Sequence, residues 1–252
     1  MEAARAAGNV LLEYLGRPLD VGRKSSRADL VTQADRASEE MLRARLLSAR
    51  PGSGFYGEET GATAGTSGER WIIDPLDGTT NFVHGFPFFC VSIGYERNGI
   101  VEVGVVYDPA HDELFAARRG GGATRNGEPL HVSETASLEE ALLCTGFMPG
   151  PGGVSANLKN FVAFSDRSHA VRRVGAAALD LCYVATAAFD GFWELGLNPW
   201  DVAAGSLIVA ESGGRVTNAD GSPFTLDGRA VVASNGRIHD EMLAVLAMTS
   251  PM

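Results

Sequence analysis

The N-terminal part of the chain repeats apolar residues at helical spacing. Between residues 3 and 15 they recur every three or four positions, which predicts an amphipathic helix. A second helix is expected to begin near Thr32, because Asp35 three positions later suits a capping box, and to end at Pro51-Gly52. The chain is therefore predicted to open with two helices.

Strand patterns dominate the next part of the chain. Short runs rich in apolar, β-branched and aromatic residues occur at 54–57, 71–73, 88–95 and 100–107. The last two runs flank Asn98-Gly99, a dipeptide typical of two-residue hairpins, and another Asn-Gly pair follows at 126–127. These signals predict an antiparallel meander.

Helical patterns return near the C-terminus. An apolar helix is expected over 176–189. A further helix is expected to open at Asn198-Pro199 and to stop at the glycines 213–214. Helices, antiparallel strands and then alternating helices and strands predict a layered α/β or α+β sandwich.

The organisation of the chain suggests two halves. A stretch rich in Gly and Pro, 146–153, is the predicted junction between them. The N-terminal half, 1–145, then carries the antiparallel sheet and most of the polar motifs, and the C-terminal half is 146–252.

Composition narrows the class of protein. The 252 residues are 45% hydrophobic and 21% charged, which excludes a disordered chain. A formal charge of -10 argues against a basic face that grips nucleic acid or an anionic membrane. Pro and Gly interrupt both uncharged windows long enough to cross a bilayer. We therefore expect neither direct nucleic-acid binding nor membrane insertion, and any phosphate is better handled through metal ions.

The cysteines indicate the redox state of the cellular compartment in which the protein works. Cys90, Cys144 and Cys182 are odd in number, far apart and set in apolar contexts, which favours buried free thiols over a disulfide framework. The first residues lack the apolar core of a signal peptide. A soluble cytoplasmic protein is the expectation.

Several common chemistries are missing from the sequence. It contains no Gly-Lys pair, hence no P-loop, and no Gly-x-Ser-x-Gly elbow. None of the five histidines is followed by another three or four residues later, so a helical zinc site is not expected. Carboxylates must therefore carry any metal.

The segment from Trp71 to Asn81 carries the strongest chemical signal. A strand is predicted to end in Asp74, and a tight turn presents Asp77 three residues later. Pro75 restricts the turn, which helps the Leu76 carbonyl face the same point as a third hard oxygen. This donor set suits magnesium.

A phosphate cradle is predicted next to these acids. Gly78-Thr79-Thr80 would start a short helix whose free N–H groups and hydroxyls can hold an anion. Metal ligands and an anion site would thus adjoin within eight residues.

The same acids could instead have purely structural roles. Asp77 alone could cap a helix, Glu58 and Glu59 could form a solvated loop pair, and Asp201 could interact with a helix dipole. Their combination at strand and helix ends favours the metal site.

Three ordered motifs resemble the magnesium-dependent, lithium-sensitive inositol monophosphatase family. They are Gly57-Glu58-Glu59, Asp74-Pro75-Leu76-Asp77-Gly78-Thr79-Thr80-Asn81-Phe82 and Trp200-Asp201-Val202-Ala203-Ala204-Gly205. The likeness extends from about residue 3 to residue 245. It implies an αβαβα sandwich.

The resemblance implies a set of metal ligands. Glu58, Asp74 and the Leu76 carbonyl would hold a first Mg²⁺. Asp74, Asp77 and Asp201 would hold a second, and a weaker third ion would lean on Glu58.

It also implies the catalytic groups. Glu58 and Thr79 would orient the attacking water, with Asp77 beside them. The Gly78 and Thr79 amides would receive phosphate oxygens. Lys24 is a possible auxiliary residue, since it and one other are the only lysines in a chain that otherwise uses arginine.

Substrate contacts follow from the same likeness. Glu194 and the Ala177 backbone would meet sugar hydroxyls, with Asp201 also on the substrate side, and Glu59 is a second possible auxiliary residue.

The expected activity is hydrolysis of inositol 1-phosphate by a metal-activated water, in a homodimer. Histidinol phosphate, a 3′-phosphonucleotide and fructose 1,6-bisphosphate remain alternative substrates for the same fold. A binding role in a bacterial transcription complex is the alternative from another class. Replacement of the metal-ligating residues would favour this binding role, and none of the expected ligands is replaced here.

Overall fold

The structure is a computed structural model that describes residues 1–18, 21–23, 30–148, 155, 157–228 and 230–249. Lys24 lies outside these residues, as does most of the predicted junction at 146–153. The α-helices of the described part are α1 Glu2–Tyr14, α2 Gln33–Ala49, α3 Thr79–Val83, α4 Leu158–Ser165, α5 Ala177–Ala185, α6 Pro199–Glu211 and α7 His239–Thr249.

The strands form two large sheets and one small pair. The pair is β1 Val21–Arg23 with β2 Leu30–Thr32. The larger sheet, in the order β10-β9-β8-β7-β6-β5-β3-β4, contains β3 Gly54–Gly57, β4 Gly61–Thr63, β5 Glu69–Asp77, β6 Cys90–Arg97, β7 Ile100–Asp108, β8 Glu113–Arg118, β9 Ala123–Arg125 and β10 Glu128–Pro129. The smaller sheet, in the order β12-β11-β13-β15-β14, contains β11 Leu142–Thr145, β12 Ala170–Arg172, β13 Gly191–Leu195, β14 Arg215–Asn218 and β15 Ala230–Ser234.

The elements stack as five layers. Helices α1 and α2 cover one face of the eight-stranded sheet, and α5 and α6 lie between its other face and the five-stranded sheet. Helices α4 and α7 cover the outer face of the smaller sheet. This is the predicted αβαβα sandwich.

Alternation along the strands explains how each sheet serves two cores. Ile73 packs toward α1 and α2, whereas its neighbour Ile72 packs toward α5 and α6. In β13, Phe192 faces α5 and α6 while Trp193 faces α4 and α7. Successive strand residues point to opposite faces, so continuous apolar runs are needed where both faces are buried.

Small residues bring α6 close to the larger sheet. A side chain at Gly104 would lie 2.6 Å from the Ala204 carbonyl oxygen, and one at Gly94 would lie 2.8 Å from the Ala203 side chain. The helix therefore rests almost on the sheet backbone. This contact carries the N-terminal end of α6, with Asp201, toward the ends of the central strands.

Several local predictions are confirmed. Thr32 and Asp35 form the capping box of α2, and Asn98-Gly99 connects β6 to β7 with both residues at positive φ. The apolar helix is shorter than expected: α5 ends at Ala185, and Ala187 adopts a positive φ that breaks it before 189.

The division at 145/146 stays a prediction. β11 precedes residue 146 but pairs with β12 and β13, so the change from one sheet to the other falls between β10 and β11. Within the described residues, no helix is both long and apolar enough to cross a bilayer.

Candidate functional site

Two parallel strands bring the first acids together. β3 runs beside β5 with Gly57 opposite Ile73. Glu58, which directly follows β3, keeps this pairing through its N–H, which donates to the Ile73 carbonyl at 3.2 Å. Asp74 is the next residue of β5 and is 2% exposed. Glu58 and Asp74 thus lie next to each other at the same end of the two strands.

An irregularity in β5 arranges the Asp-Pro-Leu-Asp motif. The strand does not end at Asp74 as predicted but continues to Asp77. Against β6, Asp74 pairs with Ser92 and Asp77 with Cys90, so three steps on one strand face two on the other. The extra residue is a β-bulge, which bends the strand and redirects its side chains. Asp74 braces the bend, since its Oδ1 accepts from the Leu76 N–H at 3.0 Å.

Gly78 turns the chain from β5 into α3. It is the N-cap of α3 with a φ of 87°, and an added Cβ would lie 2.9 Å from the Phe88 carbonyl oxygen. Glycine is therefore required for both backbone angle and space. Thr79 opens α3 as predicted, and its N–H is among those that have no partner within the helix.

The Thr79 hydroxyl has a partner that the sequence analysis did not assign to the site. Its Oγ1 lies 3.0 Å from the Leu76 carbonyl oxygen and 3.1 Å from Asp35 Oδ1. The other Asp35 oxygen accepts from the Thr32 N–H and hydroxyl. The capping-box pattern revealed Asp35, but nothing local indicated its contact with Thr79.

Asp201 reaches the site from the first turn of α6. Its Oδ2 accepts from the Asn198 N–H at 2.7 Å, completing a capping box with Pro199 at the start of the helix. No described residue donates a hydrogen bond to its Oδ1. The cap therefore fixes the carboxyl while leaving one oxygen for a ligand.

The N-terminus of α5 joins the same cluster. Asp77 Oδ2 accepts from the Ala178 N–H at 2.7 Å, and the Ala177 N–H also contributes a hydrogen bond to that carboxyl. Ala176 lies beside Gly78. The predicted phosphate cradle and the predicted substrate side are therefore adjacent.

The carboxyls of this cluster repel one another. Burial, followed by the charges of Glu58, Asp77 and Asp201, raises the pKa of Asp74 well above its ordinary value. Burial raises the pKa of Asp77 to about 7. The pKa of Asp201 is also well above its ordinary value, because of burial and the nearby charges of Asp77 and Glu58. The charged groups that act most strongly on these three acids are themselves acids.

The donor set fits a hard divalent cation. Within the described ranges, no group of three or more His, Cys, Asp or Glu side chains is arranged so that it could hold a metal ion as it stands. Four mutually repelling carboxyls and a backbone carbonyl nevertheless share this end of the strands. Oxygen ligands of this kind are those that magnesium prefers, and a cation among them would remove the repulsion.

Glu194 is buried, and its carboxyl has no hydrogen-bond donor among the described residues. The residue is 5% exposed. Burial, reinforced by the charge of Asp77 and opposed by Arg173, raises its pKa to about 8. A carboxyl that lacks protein donors can accept from hydroxyl groups of a ligand.

Asp180 is a second buried acid that the sequence analysis missed. It sits in α5, 1% exposed, and neither carboxyl oxygen has a hydrogen-bond partner in the described structure. Burial and the nearby charge of Glu194 raise its pKa well above the ordinary value. A lone acid in an otherwise apolar helix was the available signal.

Glu59 is anchored through its backbone. Its N–H donates to Glu39 Oε2 at 2.9 Å, and the Thr60 N–H donates to Glu39 Oε1 at 2.8 Å. Glu39 thus fixes the turn after Glu58. The auxiliary role of Glu59 stays a prediction.

Comparisons with known proteins agree with this architecture. The inositol monophosphatase family model matches residues 1–250. An inositol-1-monophosphatase from Mesorhizobium japonicum is 45% identical, covering 96% of this chain and 92% of that protein. The Nus factor SuhB of Pseudomonas aeruginosa is 43% identical, covering 98% and 93%. The solved structure of the extragenic suppressor protein suhB from Bartonella henselae gives a TM-score of 0.92 at 42% identity, covering 97% of this chain and 95% of that one.

The αβαβα layering is thus that of the sugar-phosphatase type of fold. The chain belongs to the inositol monophosphatase family, a family of phosphatases.

Proposed function

We propose that this protein hydrolyses a polyol phosphate, with inositol 1-phosphate as the preferred substrate, in a magnesium-dependent reaction. The observation that carries the proposal is the convergence of Glu58, Asp74, Asp77 and Asp201 at the strand ends, beside the N-terminus of α3. Family membership supports the reaction class.

The acids divide between two principal metal positions. Glu58, Asp74 and the Leu76 carbonyl would hold one Mg²⁺, and Asp74, Asp77 and Asp201 a second. A third, weaker ion would rest on Glu58. Bound magnesium supplies positive charge that acidifies the attacking water and offsets the charge of the phosphate and of the leaving alkoxide.

The residues around Thr79 would orient the attacking water. The Thr79 hydroxyl can donate its proton to Asp35 Oδ1, 3.1 Å away, and then present its oxygen as an acceptor to the water. Glu58 would accept the second proton of the same water. Proton acceptors on two sides leave the water lone pair directed at phosphorus.

Phosphate and polyol would occupy neighbouring positions. Phosphate oxygens would accept hydrogen bonds from the Gly78 and Thr79 amides at the start of α3. Polyol hydroxyls would donate to Glu194 and meet the Ala177 backbone, with Asp201 nearby. The burial of the Glu194 carboxyl, which accepts no hydrogen bond from the described residues, supports this assignment.

Three further features belong to the proposal. The three cysteines of the chain are free and buried, which supports a reducing, cytoplasmic setting. A homodimer follows from the resemblance to the family. Lys24 and Glu59 would have auxiliary roles.

A binding role in transcription is the second candidate function. Its one supporting observation is the similarity to the Pseudomonas aeruginosa protein named as a Nus factor. The presence of the full set of acids favours catalysis as the primary activity, and both roles can coexist in one protein.

The test is a panel of phosphomonoesters assayed with and without Mg²⁺. Inositol 1-phosphate should be hydrolysed fastest, ahead of histidinol phosphate, a 3′-phosphonucleotide and fructose 1,6-bisphosphate. Chelation should abolish turnover, and millimolar lithium should inhibit it. Equal turnover without magnesium, or a clear preference for another ester, would overturn the corresponding part of the proposal.

A further inference from the structure

Asn157 lies immediately before α4 and uses all of its hydrogen-bonding capacity. It is fully buried. Its Nδ2 donates to Thr145 Oγ1 at 2.8 Å and to the Gly146 carbonyl at 2.7 Å. Its Oδ1 accepts from Trp193 Nε1 at 2.7 Å and from Asn160 Nδ2 at 3.0 Å. A side-chain amide has two donor hydrogens and two acceptor lone pairs, and all four are occupied.

These bonds tie the end of β11 to the middle of β13. Thr145 lies opposite Trp193 in the parallel ladder, and the Thr145 hydroxyl donates to the Trp193 carbonyl at 2.5 Å. The indole and the backbone carbonyl of Trp193 are therefore both engaged, one by Asn157 and the other by Thr145. Stacking on Phe164, with ring centroids 3.9 Å apart, holds the indole from the other side.

Glu194 is the next residue of β13, and its carboxyl lies directly against Gly146. A Cβ added to Gly146 would lie 2.2 Å and 2.3 Å from the two Glu194 carboxyl oxygens. The place of the carboxyl thus depends on where the Gly146 backbone lies. The same Gly146 carbonyl is held by Asn157.

We propose that Asn157 is a positioning residue that sets substrate preference by holding the Glu194 carboxyl in place from both sides. It holds the residue before Glu194 in β13 through the Trp193 indole, and it holds the backbone that faces the Glu194 carboxyl through Gly146 and Thr145. The inference rests on the proposed function, in which Glu194 accepts hydrogen bonds from the polyol. Asn157 itself touches no substrate.

The hydrogen bonds of Asn157 and the volume that its side chain fills have different roles. Phe164 and Trp193 fill the surrounding core, and an apolar residue at position 157 could fill the same volume. The hydrogen bonds of Asn157 add a constraint on the angle between Gly146 and β13 beyond the ladder that pairs Thr145 with Trp193. A carboxyl that recognises hydroxyl groups depends on that angle, because hydrogen bonds weaken steeply when they are misaligned.

The test compares two substrates on one set of variants. Inositol 1-phosphate carries the polyol, and phenyl phosphate lacks it. Asn157→Leu and Thr145→Val should each lower kcat/KM for inositol 1-phosphate roughly tenfold, largely through KM, because misplaced groups lose oriented contacts. Activity on phenyl phosphate should change less than about twofold. Thr145→Ser keeps the hydroxyl and should restore the preference.

Asn160→Ala is the matched control. It removes one donor to Asn157 Oδ1 but leaves the bonds to Thr145, Gly146 and Trp193 in place. We expect it to lower stability with little effect on the ratio of the two substrates. Should Asn157→Leu fail to fold, the pair of Thr145 variants decides the question.

A double-mutant cycle with Glu194→Gln completes the test. If Asn157 acts through Glu194, adding Asn157→Leu or Thr145→Val to Glu194→Gln should cause no further polyol-specific loss. An equal loss on both substrates, or a full further loss in the Glu194→Gln background, would overturn the inference.

The single variant Glu194→Gln distinguishes a failure of the proposed role of Glu194 from a failure of the positioning role of Asn157. If it keeps the preference for inositol 1-phosphate, the proposed role of Glu194 fails and the inference fails with it. If it loses that preference while Asn157→Leu and Thr145→Val retain it, only the positioning role of Asn157 is wrong.

Discussion

Two sets of buried aspartates in this protein differ in what surrounds them. Asp108, at the end of β7, accepts from the Ala110 and His111 N–H groups and from the His111 ring. Asp190, just before β13, accepts from the Ser133 hydroxyl at 2.5 Å and from the Leu142 N–H at 2.7 Å. Each oxygen of both carboxyls thus has at least one hydrogen-bond donor.

Asp74 and Asp180 are also buried, but few hydrogen-bond donors reach their carboxyls. Asp74 accepts a hydrogen bond from the Leu76 N–H, and its other neighbours include the carboxyl of Glu58, with which it also forms a hydrogen bond, and those of Asp77 and Asp201. Neither oxygen of Asp180 has a partner among the described residues. Burial raises the pKa of both groups well above the ordinary value.

The difference teaches that burial of an acid does not by itself mark a functional site. A buried carboxylate with enough donors stabilises the fold, as at β11 and β13, where Asp190 joins the strand ends. Acids that are buried together without donors destabilise the protein until a ligand or a proton neutralises them. Substitutions at three aspartates, Asp74, Asp190 and Asp180, measure this contrast.

Asp74→Asn should give the largest effect, on activity. The amide keeps an acceptor for the Leu76 N–H, so the fold should survive, while the charge that would serve both metal positions is lost. Interactions of this kind contribute several kcal/mol, so turnover at saturating Mg²⁺ should fall by roughly a thousandfold or more. A turnover near that of the parent would contradict the two-metal assignment.

The same variant has a stability readout. Thermal unfolding of the parent should shift upward with Mg²⁺, because a ligand that binds only the folded state stabilises it, and this shift should shrink in Asp74→Asn. The matched control is Asp190→Asn, in which the magnesium shift should be unchanged.

Asp190→Ala should instead lower the stability of the protein and leave its catalytic activity unchanged. Its removal leaves the Leu142 N–H without a partner and frees the Ser133 hydroxyl. A hydrogen bond to a charged group contributes about 1.5–3 kcal/mol, which corresponds to a Tm lower by roughly 3–12 °C for a chain of this length. Thermal unfolding measures the loss, and an unchanged Tm would show that donor supply does not distinguish the two sets.

Asp180→Asn should give the smallest effect, a gain in stability that depends on pH. The folded protein keeps Asp180 protonated at pH values where the unfolded chain has already ionised it, because the folded pKa is raised. Parental stability therefore falls as pH rises from the ordinary pKa of 3.8 toward the raised value.

The amide resembles the neutral acid and does not ionise, so the variant escapes that loss. Its advantage in Tm should be near zero around pH 4 and should grow as the pH rises toward neutrality. Unfolding scans across this pH range decide the matter. A gain that does not vary with pH would mean that ionisation of Asp180 is not what destabilises the parent.

The sequence by itself determined the features that depend on neighbours a few residues apart. The capping box of Thr32 and Asp35, the Asn98-Gly99 hairpin and the helix start at Gly78 each rest on contacts within one or two turns of chain. Side-chain rules at these separations hold whatever the fold. The metal motif and the family resemblance could also be recognised from the sequence, because the residues of each motif are neighbours in the chain.

The apolar runs and the helical patterns around them also predicted a layered sandwich of sheets and helices, but not which strands adjoin. Only the tertiary structure placed Glu58 beside Asp74, through the parallel pairing of β3 with β5. It also introduced the bulge that carries β5 on to Asp77. Register is decided by packing on both faces of a sheet, which a single strand does not encode.

The remaining contacts of the site join residues far apart in the chain. Asp35 and Thr79 are separated by 44 positions, Asn157 and Trp193 by 36, and Asp77 and Ala178 by 101. Local propensity carries no information about such pairs, since each exists only after the layers have packed. The sequence therefore determined which groups the protein has available, and the packed αβαβα sandwich decided which of them meet.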